Sequence, residues 1–152
     1  MIRFIFAFFI TILFFSPYLY PSYLAQIIED EINIRTDSTI ASSSLGYLNK
    51  GEKVVVLEEK YSWCKIILPQ RFTAYAYAVF LKKIDDNKVE VVVSSLNLRS
   101  KPSLKAPIIG RVKRRAVLYV VKKDKDWYKV KGYPYLWGWI HKRFLKKVQT
   151  KE

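Results

Sequence analysis

The sequence repeats itself once, at a fixed spacing of 64 residues. Asn33-Ile34-Arg35 recurs as Asn97-Leu98-Arg99. The same spacing relates four further sets: Gly46 and Gly110, Trp63 and Trp127, Lys65 and Lys129, and Phe80-Leu81-Lys82-Lys83 with Phe144-Leu145-Lys146-Lys147. No gap is needed to align these sets, and the apolar positions between them also agree. A repeat of this period predicts two copies of one small structural unit.

The two units divide most of the chain between them. We place the first repeat at residues 26–86 and the second at residues 87–152, with the boundary in the polar, turn-forming cluster Asp85-Asp86-Asn87-Lys88. A unit of this size has a thin core and is marginally stable by itself. Packing of one repeat against the other would stabilise both.

The second repeat consists of short apolar segments that alternate with turn signals. Aromatic residues make up 16% of the chain, and they favour strands. The predicted strands are Val89 to Leu98, Ile108 to Val112, Val117 to Val121, Trp127 to Lys131 and one that starts at Gly138, followed by a short helical turn within His141 to Lys147 and a closing strand at Val148. Short strands at this spacing predict an all-β fold of two tandem small β-barrels.

The N-terminus carries a targeting signal. Arg3 precedes the uncharged apolar run Phe4 to Phe15, which Ser16-Pro17 ends. This order is typical of a secretory signal peptide, and the run is short for a membrane-spanning helix. We therefore interpret residues 1–25 as a signal peptide cleaved after Ala25 or as an uncleaved membrane anchor formed by a helix. Either form predicts an exported protein, periplasmic or extracellular, in the cell envelope.

Several of these motifs occur together in one known family. NLRSKPS at residues 97–103, a Gly-hydrophobic step at Gly110, DWYKV at 126–130, GWI at 138–140 and the following FL at 144–145 resemble the bacterial SH3 domain family. The second repeat carries the pattern well. The first has Ala74-Tyr75-Ala76 in place of GWI and lacks the proline found at Pro102. The resemblance implies SH3-like barrels of five to six strands, which commonly accompany cell-wall enzymes as targeting modules.

Aromatic residues of the second repeat are the first candidate ligand site. Rings stack on sugar faces and prolines, and their N–H and O–H groups orient a ligand. The alternative is that the rings complete the barrel or form the contact between repeats, with some left exposed. The candidate residues are Trp127, Tyr128, Tyr133, Tyr135, Trp137 and Trp139.

Charge is the second indication of a binding surface. Residues 1–88 hold 10 Lys/Arg and 9 Asp/Glu, whereas residues 89–152 hold 17 and 4. This excess favours an anionic partner, and we add Arg114 and Arg115 of the basic run Lys113-Arg114-Arg115 to the candidate site. The alternative is a solvated surface. Nucleic acid fits the charge, but export and the absence of a nucleic-acid motif argue against it.

Catalytic residue patterns are missing from the sequence. Cys64 and His141 are the single cysteine and histidine, they lie in different repeats, and together they cannot supply a metal site. Carboxylates in the second repeat are few, which disfavours glycan hydrolysis. We predict no catalytic residue, metal or cofactor, and we interpret Cys64 as a small, half-buried residue.

Two functions fit these observations. The first is a non-enzymatic exported module that recognises peptidoglycan or another anionic or peptide-bearing envelope component through the second repeat. The second is a structural or assembly protein that binds another exported protein through its SH3-like barrels. Charge-driven binding to a polymer weakens as salt rises, whereas an apolar protein interface does not.

Overall fold

The computed structural model describes residues 22–149 as fourteen short β-strands. The first seven are β1 (Tyr23–Ile27), β2 (Ile32–Arg35), β3 (Ser44–Leu48), β4 (Lys53–Lys60), β5 (Trp63–Ile67), β6 (Thr73–Tyr77) and β7 (Leu81–Lys83). The second seven are β8 (Lys88–Val91), β9 (Ser95–Arg99), β10 (Ile108–Lys113), β11 (Val117–Asp124), β12 (Trp127–Lys131), β13 (Trp137–His141) and β14 (Leu145–Lys147). A 3-10 turn precedes each repeat's last strand, at Ala78–Phe80 and Lys142–Phe144.

The two repeats exchange their last two strands. The first sheet has the order β14-β1-β4-β5-β13-β2-β3, so β13 and β14 of the second repeat complete a sheet built from β1 to β5. The second sheet has the order β7-β8-β11-β12-β6-β9-β10, so β6 and β7 make the same contribution in return. The two sheets therefore have equivalent strand orders, as the 64-residue spacing predicts. In each sheet, however, five strands come from one repeat and two from the other.

The register of these exchanged pairs follows the repeat. Lys65 of β5 pairs with Trp139 of β13, and Lys129 of β12 pairs with Tyr75 of β6. Each position in one pair lies 64 residues from its counterpart in the other. The sheets are thus two versions of one structure, and each needs both repeats.

The predicted all-β class is confirmed. Closed barrels were also predicted, but the strand pairing does not show them. Within residues 22–149, no pairing joins β14 to β3 or β7 to β10. The predicted N-terminal helical segment covers residues 1–25, of which residues 1–21 lie outside the described residues, and its end, from Tyr23 to Ala25, belongs to β1. Within the described part of the chain, no helix is long and apolar enough to cross a membrane.

The prediction of a single strand from Val89 to Leu98 is wrong. The structure divides it into β8 and β9, with a bend at Val92–Ser94. β8 pairs with β11 and β7, whereas β9 pairs with β10 and β6, so the chain turns from one part of the second sheet to another. The run of valines gave no signal for this corner in the sequence, because β-branched residues suit one continuous strand as well as two short ones.

β1 lies at the predicted end of the leader. Ala25 is fully buried, and it pairs with Val54 of β4 and with Lys147 of β14. Cleavage after Ala25 would remove Tyr23, Leu24 and Ala25 from the first sheet.

Gly138 allows the exchanged strand β13 to pack on the first repeat. A Cβ at this position would lie 2.4 Å from Cγ2 of Ile34 and 3.0 Å from Cδ2 of Leu68. Both of these side chains are buried. β13 therefore approaches side chains of the first repeat closely at Gly138.

Cys64 is more deeply buried than predicted. Its side chain is fully inaccessible, because it faces the core of the first sheet beside Ile66 on the alternating strand β5. Burial raises the pKa of the thiol, which opposes formation of a thiolate. His141 pairs with Trp63, next to Cys64, but its ring packs on Trp63.

Candidate binding grooves at the junction of the repeats

The arginine of each Asn-x-Arg motif closes a loop. Nη1 of Arg35 donates to the carbonyl of Ser42, and Nη1 of Arg99 donates to the carbonyl of Ala106, both at 2.8 Å. The loops are further joined by backbone hydrogen bonds, from Thr36 N to the carbonyl of Ser43 and at the equivalent position of the second repeat. The motif thus fixes two loops, at residues 36–43 and 100–107, which line the grooves described next.

A groove of about 540 Å³ lies between the loops and β13. We call it the Trp groove; its lining includes Trp137 and Trp139, the loop residues Thr36 and Ser43, and Pro107 of the second repeat. Trp137 is half-buried and Trp139 is 7% exposed. Alternation along β13 places both indoles on one side of the strand. The groove therefore offers aromatic surface together with hydroxyl groups.

Lys65 occupies the space beside these two indoles. Its Nζ lies 4.7 Å from the ring centroid of Trp137 and 5.7 Å from that of Trp139, within the range of cation–π attraction. Glu58 neutralises the same ammonium group at 3.6 Å. The first repeat thus supplies the ion pair that supports an aromatic surface of the second.

A second groove, of about 680 Å³, contains the equivalent positions. We call it the Lys groove; it is lined by Lys101 and Lys129, by Thr73 and Tyr75 of β6, and by residues of the first repeat that include Ser44 and Phe72. Thr73 and Tyr75 replace Trp137 and Trp139 at the 64-residue spacing. Thr36 and Ser43 line both grooves, so the loop at residues 36–43 separates them.

Trp127 belongs to a different aromatic cluster. Its ring packs on Tyr77, with centroids 5.1 Å apart, and Tyr77 contacts Phe80 in turn. The first sheet repeats this arrangement with Trp63, His141 and Phe144. Both clusters join the two repeats, and Trp127 is only 8% exposed, so it belongs to the contact between repeats.

The three candidate tyrosines do not meet the two indoles of the Trp groove in one cluster. Tyr128 lies near Lys123, whose Nζ is 5.8 Å from the ring centroid, in a separate depression of the second sheet. Tyr133 and Tyr135 are 52% and 42% exposed in the connection that contains the cis peptide bond before Pro134. Exposure of some rings was expected, and these two provide it.

Arg114 and Arg115 lie on the turn between β10 and β11, and both are exposed. The backbone N–H of Arg115 donates to the carbonyl of Val91 at 2.8 Å, and its φ is 71°. The equivalent position in the first repeat is Gly51, with a φ of 91°. Neither arginine lines the Trp groove or the Lys groove.

A polar network ties β1 to the second repeat. The hydroxyl of Tyr23 donates to Oε1 of Glu59 at 2.6 Å, and Nζ of Lys142 donates to Oε2 of the same carboxylate. These two hydrogen bonds hold the pKa of Glu59 below its usual value, and the one from Lys142 has the larger effect. Burial, followed by the hydrogen bond to Glu59, raises the pKa of Tyr23.

Strand exchange also redistributes the charge. Residues 22–72 and 137–149, which build the first sheet and its loops, hold 10 Lys/Arg and 7 Asp/Glu, a net charge of +3. Residues 73–136, which build the second, hold 15 and 5, a net charge of +10. The basic surface predicted for the second repeat therefore lies mainly around the second sheet. Four basic residues of the second repeat, in β14 and the 3-10 turn before it, belong to the first sheet.

The grooves contain residues that the sequence interpretation overlooked. Lys101 and Lys129 were not candidates, and neither were the hydroxyl residues Thr36 and Ser43. Lys65, which contacts the indoles of the Trp groove, was not a candidate either. The spacing that aligns Lys65 with Lys129 was the available signal. Groups of three or more potential metal ligands are absent from the described segment, residues 22–149.

Comparison with known proteins supports the repeat. The sequence model of the family described as "Bacterial SH3 domain" matches residues 30–82 and 94–146. The chain is also 25% identical over 130 residues to the Bacillus subtilis (strain 168) protein named "Putative N-acetylmuramoyl-L-alanine amidase YrvJ". That alignment covers 80% of this chain but spans about a quarter of the relative.

Proposed function

Because the chain belongs to the bacterial SH3 domain family, we propose that it is a non-enzymatic binding module for a cell-wall polymer. Peptidoglycan is the ligand we infer, and the Trp groove is the site. The observation that carries this proposal is the pair Trp137 and Trp139, held beside Lys65 in a groove that also presents hydroxyl groups. Aromatic faces bind sugar rings and peptide prolines, and neighbouring polar groups orient them.

The similarity to a protein named as an amidase supports a location in the cell envelope. The name of that relative refers to a bond of muramoyl peptides, and the aligned region is a quarter of its length. A shared region of this size suits a part that attaches to the wall. We infer that this chain is exported, through residues 1–25, and performs the attachment in an SH3-like form.

Sedimentation with isolated cell-wall sacculi tests the proposal. We expect the purified full chain to sediment with sacculi and Trp137→Ala to lose most of this binding. Trp137 is the suitable target because it is half-buried, whereas Trp127 and Trp139 are packed in the structure. Tyr133→Ala is the matched control, since it removes an exposed ring outside the groove. Circular dichroism establishes that both variants are folded.

Equal sedimentation of the Trp137→Ala and Tyr133→Ala variants would remove the Trp groove from the proposal. Failure of the native chain to sediment would contradict wall binding itself. Release of a soluble muramoyl product from sacculi would contradict the non-enzymatic assignment.

An exported protein is the second candidate partner. Among residues 22–149, β3 lies at the end of the first sheet and pairs only with β2, so its other edge could accept an added strand. Such a contact depends on backbone hydrogen bonds. Binding that persists as salt rises, and that Pro substitution at an outward N–H of β3 removes, would favour this function.

A further inference from the structure

The lysine that lines the Lys groove differs in its charge partners from the equivalent lysine beside the indoles of the Trp groove. Lys65 has a carboxylate partner in Glu58, and the two indoles cover its ammonium group. The equivalent of Glu58 beside Lys129 is Lys122, and the equivalents of the two indoles are Thr73 and Tyr75. The same position in the fold is therefore neutralised in one groove and cationic in the other.

The cations of the Lys groove are available to a ligand. Within residues 22–149, no carboxylate lies within ion-pair distance of Lys101 or Lys129. Arg71, the third basic residue of the lining, is held by Glu52 at 2.5 Å. Two lysines in a concave site raise the local concentration of anions.

The rest of the lining suits a sugar. Hydroxyl groups of Ser44, Thr73 and Ser100 and the amide of Asn49 line the groove, and they offer both donors and acceptors. Tyr47 and Phe72 add ring surface, and Tyr47 is 56% exposed. A volume of about 680 Å³ is within the range of small-ligand sites.

Resting on the proposed function, we propose that the Lys groove binds a sugar that bears a carboxylate, with Lys101 and Lys129 as its anion contacts. Two separate ammonium groups among hydroxyl groups match one carboxylate on a polyol. Lysine binds carboxylate and phosphate alike, so the carboxylate is chosen because the ligand of the proposed function is a glycan, and a phosphate polymer is the competing outcome of the test. The chain would then hold a wall glycan at two adjacent sites, one aromatic and one cationic.

The test compares two forms of one sugar by NMR titration of the full chain. The probes are the disaccharide of N-acetylglucosamine and N-acetylmuramic acid with its free lactyl carboxylate, and the same disaccharide with that carboxylate converted to an amide. A hydrogen bond to a charged group contributes about 1.5–3 kcal/mol, so we expect the amide to bind roughly tenfold more weakly or worse. Perturbed signals should map to the loop at residues 100–107 and to β12.

Substitution of single lysines tests which ammonium groups contact the carboxylate of the sugar. Lys129→Gln and Lys101→Gln should each weaken binding of the free acid several-fold and leave binding of the amide unchanged. Lys113→Gln, which removes the same charge from an exposed lysine outside both grooves, should leave both unchanged. Equal affinity for acid and amide would overturn the inference, and so would equal losses in Lys129→Gln and Lys113→Gln. Stronger binding of a glycerol phosphate oligomer than of the free acid would also overturn it.

Sedimentation with sacculi separates this inference from the proposed function. If Lys129→Gln sediments like the native chain while Trp137→Ala does not, the wall-binding function holds and the Lys groove is not its glycan site. If no form of the chain sediments, the proposed function fails. The NMR comparison then decides whether the groove binds an acidic sugar in its own right.

Discussion

Trp63 of the first repeat packs edge-to-face against His141 of the second, with ring centroids 5.5 Å apart. The pair Trp127 and Tyr77 repeats this contact in the other direction, at 5.1 Å. Each tryptophan begins the strand that receives the exchanged strand, and each partner ends the exchanged strand. The exchange is therefore marked by a packed ring pair in both sheets.

Cross-linking tests strand exchange directly. In the structure Tyr75 pairs with Lys129, whereas without exchange it would pair with Lys65. In a Cys64→Ala background, Tyr75→Cys with Lys129→Cys should form an intramolecular disulfide, because paired positions in antiparallel strands have Cα atoms about 4.5–5.5 Å apart. A mobility shift on a non-reducing gel measures it.

The matched variant for this experiment is Tyr75→Cys with Lys65→Cys. It should remain uncross-linked under the same oxidation, because its two positions lie in different sheets. Cross-linking in this variant alone would show that each repeat retains its own strands.

Gly138→Ala should destabilise the protein by about 1–3 kcal/mol, because the added Cβ overlaps the methyl group of Ile34. The second sheet has Ala74 and Leu98 at the equivalent positions, and both are fully buried. Adding Ile34→Leu should therefore recover part of the loss, by removing the branch at Cβ. Urea denaturation measures both variants. Additive losses in the double variant would contradict this explanation.

Arg115→Gly should stabilise the protein by about 0.5–1 kcal/mol. A left-handed conformation costs an L-residue with a Cβ roughly 1–2 kcal/mol, and glycine adopts it freely. Arg114→Gly is the control: it removes the same charge one residue earlier, where φ is not positive, and it should destabilise. Thermal melts of the two variants should shift in opposite directions, and shifts of the same sign would disprove the argument.

Glu59→Gln should reduce stability at neutral pH. The pKa of Glu59 is depressed by Lys142 and Tyr23, and such a carboxyl contributes stability that is present above its unfolded-state pKa. This contribution is lost as the pH falls below about 4.5 and through the lowered folded-state value. Unfolding curves of native and variant chains should therefore converge in acid. The loss should be smaller than that of Gly138→Ala, since the ion pair is solvent-accessible.

Tyr23→Phe provides a graded control for the pH experiment. It removes one of the two hydrogen bonds to Glu59 and leaves the contact with Lys142. Its effect should be smaller than that of Glu59→Gln and should follow the same pH range. If the loss of stability in Glu59→Gln does not depend on pH, its cause is altered packing and the charge of Glu59 is not responsible.

The repeat and most strands could be predicted because their signals are local. Alternation along Trp127 to Lys131 and the turn residues before it lie within one stretch of chain. The strand exchange could not be predicted, because the sequence of β5 is compatible with pairing to either β6 or β13. Lys65 meets an aromatic residue in both cases, Tyr75 or Trp139. Sequences that are alike at the paired positions do not specify which copy pairs.

The candidate site was predicted in part for the same reason. Trp137 and Trp139 share a groove, as alternation along one strand would suggest. Their neighbours Lys65 and Thr36 come from the first repeat, to which the sequence assigned no candidate site residue. Trp127 was a candidate because it is aromatic, and its burial on Tyr77 depends on a strand that the sequence assigns to another unit.

Exchange also determines when the chain can fold during its synthesis. β1 begins at Tyr23 and pairs with β14, which ends at Lys147, so the first sheet spans nearly the whole described chain. Contacts this distant in sequence give a high contact order and slow folding. The first sheet stays incomplete until β13 and β14 have left the ribosome. An export pathway that accepts only unfolded chains would therefore meet an incomplete first sheet until the second repeat has been synthesised.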